Sequence, residues 1–158
     1  MRSLQFSMWL PWSLEDSFEF FTDVHKLDQV TPRWFRIRPL SDSPMLLGLG
    51  TKIDYEMRWR GWTSAWQSVI RDWRPPQAVA YEQGRGPFRF YRNENHFLNL
   101  SGGTLLEEQV FYRAPGGSWV QRFLVEPDLQ RIFRFRRSLV GGSDFRRPST
   151  HRHPPADP

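Results

Sequence analysis

Cysteine is absent from the 158 residues, which excludes disulfides, thiolate nucleophiles and any zinc or iron–sulfur centre built on sulfur ligands. No stretch approaches the roughly 18 consecutive apolar residues of a spanning helix, so stable membrane insertion is not expected. The opening residues, Met1 to Phe6, carry no long apolar run and no small-residue cleavage site, so a cytoplasmic protein is the simplest reading. No glycine-rich phosphate loop and no metal-ligand spacing occurs, so no cofactor and no metal is implied. Lysine is nearly missing, with only Lys26 and Lys52. The formal charge of +5 is therefore carried by arginine. These arginines are spread along the chain, at Arg33, Arg36, Arg58, Arg60, Arg71, Arg89 and Arg113 among others. Phosphate binding wants them gathered in one stripe, so a solvated surface is expected and a nucleic-acid partner is not.

What is abundant is aromatic. Phe, Trp and Tyr make up 16% of the residues, and many fall in strand-like segments, where such rings either fill a core or line a pocket for an apolar guest. The length suits one domain able to bury its own core.

Residues 3 to 10 read as a strand closed by Pro11, and Ser13 is positioned to cap a helix carrying the Phe18 and Phe21 pair. A second short helix, from about Asp23 to Gln29, should stop at Thr31-Pro32, because the residue before proline avoids helical geometry. From residue 34 the period becomes two. Ile53, Tyr55, Met57 and Trp59 alternate with Lys52, Asp54, Glu56, Arg58 and Arg60, so one face is dry and the other wet. A turn at Gly61-Trp62-Thr63 leads to a returning strand with Trp66, Ser68 and Ile70, stopped by Pro75-Pro76. Strands at 78 to 83, 88 to 99 and 104 to 113 follow, separated by Gly84-Arg85-Gly86-Pro87 and Ser101-Gly102-Gly103. Turns this short force an antiparallel meander.

The final element runs from about Ser118 to Val140, with Trp119, Phe123, Leu124, Ile132 and Phe133 at helical spacing and Gly141-Gly142 after it. It is expected to be one long amphipathic helix that either kinks at Pro127 or starts afresh there. Residues 141 to 158 are polar and proline-rich and read as a disordered tail behind a domain spanning 1 to 140.

This order resembles the helix-grip fold of the START-like, or SRPBCC, superfamily, and its bacterial cyclase/dehydrase-like branch in particular. The residues that carry the likeness are Trp12 to Phe21, Thr31-Pro32, Gly50-Thr51 with Tyr55, and Trp66 to Ile70. They continue through Pro75-Pro76, Glu82-Gln83, Gly86-Pro87-Phe88, Gly103-Thr104, Tyr112 with Pro115-Gly116, and Ile132-Phe133 with Arg136. The resemblance implies an α+β fold in which a curved antiparallel sheet wraps a long C-terminal helix, with two short helices after the first strand. It also implies that an epimerase-like domain can be a partner. One departure stands out: where this branch carries an aromatic and two alternating histidines before Phe, this chain has Tyr91, Asn93, Asn95 and Phe97. A role needing imidazole there is not expected.

A strongly bent sheet cannot pack flat on one helix and so encloses space. On that geometry Tyr55, Met57, Trp59, Trp66, Tyr91, Phe97, Val110 and Tyr112 should face inward, with Phe123 and Leu124 from the helix. Ser68, Asn93, Asn95 and Glu108 share the inward parity as polar anchors. The alternative is that the rings interlock as a solid core. Of the four histidines, His25 reads as surface, His96 as a surface partner of Glu94, and His151 and His153 as part of the tail. Glu108, if buried beside Val110 and Tyr112, would have a raised pKa and could act as a general acid or base. Three functions stay open: a non-catalytic carrier or sensor of a hydrophobic small molecule such as a lipid, a quinone or a polyketide-like aromatic; a cyclase or dehydratase using Glu108 or Tyr112; and an interaction module.

Overall fold

A computed structural model describes residues 1–41 and 44–141. Its elements are β1 (Arg2–Leu10), α1 (Leu14–Thr22), a 3-10 helix (Val24–Val30), β2 (Phe35–Pro39), β3 (Lys52–Trp59) and β4 (Trp62–Arg74). Then come β5 (Ala78–Arg85), β6 (Phe90–Leu100), β7 (Gly103–Arg113), α2 (Gly117–Val120), a π-helical turn (Gln121–Val125) and α3 (Glu126–Gly141). The described strands form a seven-stranded sheet in the order β1-β7-β6-β5-β4-β3-β2, antiparallel throughout. This is the helix-grip α+β architecture.

Local chemistry accounts for the boundaries. The Ser13 hydroxyl accepts from the Asp16 amide at 3.1 Å, satisfying one of the unpaired donors at the start of α1. Asp23 caps the 3-10 helix by accepting from the His25 amide. The β3–β4 turn lies at Arg60-Gly61, one residue earlier than the sequence suggests. Both residues have positive φ, 49° and 83°, the pair of left-handed residues whose twist matches a hairpin. Ser101 and Gly102, at 52° and 75°, repeat the device between β6 and β7.

The sheet bends at β4. Its register against β5 slips between Gln67 and Ser68 and again between Ile70 and Asp72, and such bulges bend the bulged strand and sharpen its twist. The expected alternation of β3 holds, with Ile53, Tyr55 and Met57 buried between exposed charges. On β7 the buried column is Thr104, Leu106, Glu108, Val110 and Tyr112. One end of the concave face is filled: α1 sets Phe18 edge-on against Phe97 and Trp73, and Phe20 against Trp12. The other end is covered by α3, where Phe133 stacks on Phe6 with centroids 3.8 Å apart. Most of the expected tail, 142–158 with His151 and His153, lies outside the described residues.

Candidate functional site

Between these two packed ends the sheet and α3 fail to meet, and a cavity of about 160 Å3 remains. Its wall draws on five parts of the fold, one of them the end of α1 with Phe21 and Thr22. The sheet supplies Phe35, Ile37, Tyr55, Met57, Trp59, Trp66, Ser68, Tyr81, Tyr91, Asn93, Asn95 and Glu108. The helix supplies Val125, Asp128, Leu129, Ile132, Phe133 and Arg136, the 3-10 segment Val24, Leu27 and Val30, and the β5–β6 turn Phe88. Trp66 meets Phe88 and Tyr91 edge to face, and those two tilt against each other, with centroids 5.0 to 5.8 Å apart, so the aromatic wall is held by its own ring contacts.

Nine of the residues singled out from sequence therefore line the cavity: Tyr55, Met57, Trp59, Trp66, Ser68, Tyr91, Asn93, Asn95 and Glu108. Four do not. Phe97 is buried but spent on Phe18 of α1. Val110 and Tyr112 are buried where α3 touches the sheet, in a cluster with Val125, Leu129 and Phe133, and the Tyr112 hydroxyl is directed at Glu126, 3.5 Å away. Phe123 points outward. It is 51% exposed, with its ring 4.5 Å from that of Trp119, and Leu124 is likewise exposed. The correction has a physical cause in the π-helical turn Gln121–Val125. Pro127 cannot donate to an α-helical ladder and its ring presses on the carbonyl four residues back. A wide turn just before it absorbs that conflict and shifts the helix phase. The inward face becomes Val125, Leu129, Ile132, Phe133 and Arg136, and the rings before the shift are left on the surface.

Two polar constellations stand in this apolar wall. The first is Glu108, 2% exposed, whose Oε1 accepts from Arg136 Nη1 at 2.9 Å. Arg136 Nε also donates to the Val30 carbonyl at 3.2 Å, and its guanidinium lies 5.2 Å from the Phe133 ring centroid. Burial raises the Glu108 pKa, while the Arg136 charge and the nearby Asn93 amide pull it back down. Burial outweighs them because both oxygens are withdrawn from water. The second is Asp128, 4% exposed, which accepts from Trp59 Nε1 at 2.7 Å and from Arg60 Nε and Nη2 at 2.8 and 3.2 Å. Ser68 accepts from Trp66 Nε1 at 2.9 Å. Burial also pushes the Tyr91 hydroxyl up to about 12 and raises Tyr55 and Tyr81 further.

Sequence reasoning gave no role to Arg136 or Asp128, because their partners lie 28 and 68 residues away and no spacing rule joins them. The helical periodicity that places Ile132 and Phe133 inward does reach Arg136 when continued by one turn. His25 is exposed, and Glu94 is engaged by Arg92 at 2.6 Å instead of by His96. Among the described residues no group of three or more His, Asp or Glu side chains could hold a metal ion, and no helix is long and apolar enough to cross a membrane.

Comparison with known proteins follows the same lines. The family described as "Polyketide cyclase / dehydrase and lipid transport" matches residues 10–135. No curated protein matches the chain significantly. Among solved structures, a Chromobacterium violaceum protein superposes with a TM-score of 0.67 at 16% identity, over 89% of this chain and 97% of that one. A Thermus thermophilus protein gives 0.67 at 14% identity, over 87% and 95%. The crystal structure of Ara h 8.0201 gives 0.58 at 17% identity, over 88% and 97%. At these identities the likeness establishes the fold.

Proposed function

As the chain belongs to the polyketide cyclase/dehydrase and lipid transport family, we propose that it binds an apolar small molecule in the hollow between sheet and α3, and serves as a carrier or sensor without turnover. The observation that carries this reading is the hollow itself, walled by Tyr55, Met57, Trp59, Trp66, Phe88 and Tyr91. Its volume, about 160 Å3, is close to the roughly 150 Å3 apolar cavity known to hold benzene. A ring or short aliphatic segment of a lipid, quinone or polyketide-like aromatic would seat there. Glu108 fits recognition better than proton transfer, since Arg136 Nη1 occupies its Oε1 at 2.9 Å. Tyr112, turned toward Glu126, is not placed to assist it.

Native mass spectrometry of the purified protein should find a co-purifying apolar molecule, and a naphthalene-type dye should bind and be displaced by apolar competitors. No uptake of dye or competitor by the folded protein would sink the reading. A second reading, a cyclase or dehydratase, is favoured by one observation: a carboxylate of raised pKa facing an apolar cavity is the arrangement that general acids use. Glu108→Gln separates the two. A carrier keeps its dye binding, whereas an enzyme keeps binding and loses turnover of its substrate.

A further inference from the structure

We propose that the cavity selects apolar molecules bearing a neutral N–H or O–H donor, and rejects equally apolar molecules that lack one as well as carboxylates. The selecting groups are Glu108 and Asn93. This rests on the reading that the hollow is a binding site, and goes beyond it by naming the ligand chemistry.

Two oxygens in the wall are buried with no hydrogen-bond partner among the described residues: Glu108 Oε2 and Asn93 Oδ1. Both side chains line the cavity. Across the β6–β7 ladder Asn95 faces Glu108 and Asn93 faces Val110, so the two acceptors stand one pleat apart on the concave face. Buried acceptors are almost always paired in folded proteins, and an unpaired one carries its full desolvation penalty. A guest that donates a proton to this corner removes that penalty, and a guest that cannot leaves it in place.

The cationic partner is already committed. Arg136 gives Nη1 to Glu108 Oε1 and Nε to the Val30 carbonyl, so its charge is matched. An incoming carboxylate would meet the carboxylate of Glu108 and the amide oxygen of Asn93, whose NH2 is already turned toward Glu108, so an acceptor would face two acceptors. The polar corner therefore reads donors and repels anions.

Three bicyclic probes of nearly equal size test this by titration calorimetry: indole, which only donates through its ring N–H; benzofuran, whose ring oxygen only accepts; and indene, which does neither. Wild-type protein should bind indole at least about tenfold more tightly than benzofuran, and indole-2-carboxylate should bind more weakly than indole. In Glu108→Gln the amide oxygen turns to Arg136 and its NH2 replaces Oε2, so indole should lose its advantage over benzofuran. Should that variant not fold, Asn93→Leu, which leaves the ion pair intact, should narrow the same ratio. If the three bicycles bind the wild type alike, donor selection is overturned while the cavity reading stands. If none of them binds, both fall.

Discussion

Glu108 and Arg136 form the most consequential residue pair in the described chain, because each is costly without the other. Glu108 is 2% exposed at its side chain and Arg136 13%. Removing the guanidinium leaves a carboxylate in apolar surroundings with nothing to offset its desolvation. Arg136→Met should destabilise the protein by about 3–5 kcal/mol, read from the urea midpoint at neutral pH. The double variant Glu108→Gln with Arg136→Met should recover most of that loss, since no buried charge then remains. The sign of the pH effect follows from the raised Glu108 pKa. Arg136→Met removes the group that was pulling the pKa down, so its deficit should shrink as the pH falls and the carboxyl is protonated. A deficit under about 1 kcal/mol, of the size found for solvent-exposed pairs, would mean the corner is wetter than its burial indicates.

At the scale of elements, α3 is fastened to the sheet at both ends of the cavity: by Arg136 near its end and by Asp128 in its first turn. Asp128 draws in the tip of the β3–β4 hairpin through Trp59 and Arg60. Asp128→Ala should cost about 2 kcal/mol, because it leaves the Trp59 N–H without its acceptor. Arg60→Ala should cost less than Arg136→Met, since Arg60 is 47% exposed and the buried Asp128 carboxylate keeps its bond from Trp59 Nε1 when the guanidinium is lost. Equal urea midpoints for wild type and Asp128→Ala would show that the hairpin is held by packing alone.

The elements were readable to different degrees, for reasons that differ in kind. β3 was legible residue by residue because its wet and dry faces alternate without exception from Lys52 to Arg58. The parity of β7 correctly put Glu108 inside, since period two forces it to share a face with Leu106 and Val110. The helix failed at Phe123 because its phase is reset by a π-helical turn, which a constant 3.6-residue count cannot anticipate. Thr31-Pro32 marks the end of the Val24–Val30 segment in the sequence, but its use as a cavity wall depends on how it folds back toward Arg136, which no local pattern encodes. Long-range partners such as Arg136 and Val30, 106 residues apart, exist only once the sheet has curved.

For the molecule as a whole, the tyrosines give a global readout. The chain has four, and every one is shifted upward: Tyr91 and Tyr112 to about 12, Tyr55 and Tyr81 beyond that. Desolvation by burial is the leading cause in each. The folded protein should therefore show almost no tyrosinate absorbance at pH 10, the ordinary midpoint of the group, while the urea-unfolded chain is half ionised. Because the folded pKa values are raised, the associated stability is intact below pH 10 and declines as the pH climbs toward 12. Urea midpoints should fall across that window. Half-developed absorbance at pH 10 in the native state would contradict the burial of these rings.

The strand order has a consequence for biosynthesis. Every neighbouring pair of described strands is consecutive along the chain except one: β1 pairs with β7, with Leu10 opposite Thr104. During translation the β2-to-β6 meander can zip as each hairpin is made, while β1 waits with an unpaired backbone until Gly103–Arg113 has emerged. The last strand pairing to form is thus the one that sets Phe6 opposite Glu108, and until it forms the nascent chain exposes a bare sheet edge of the kind that chaperones shield.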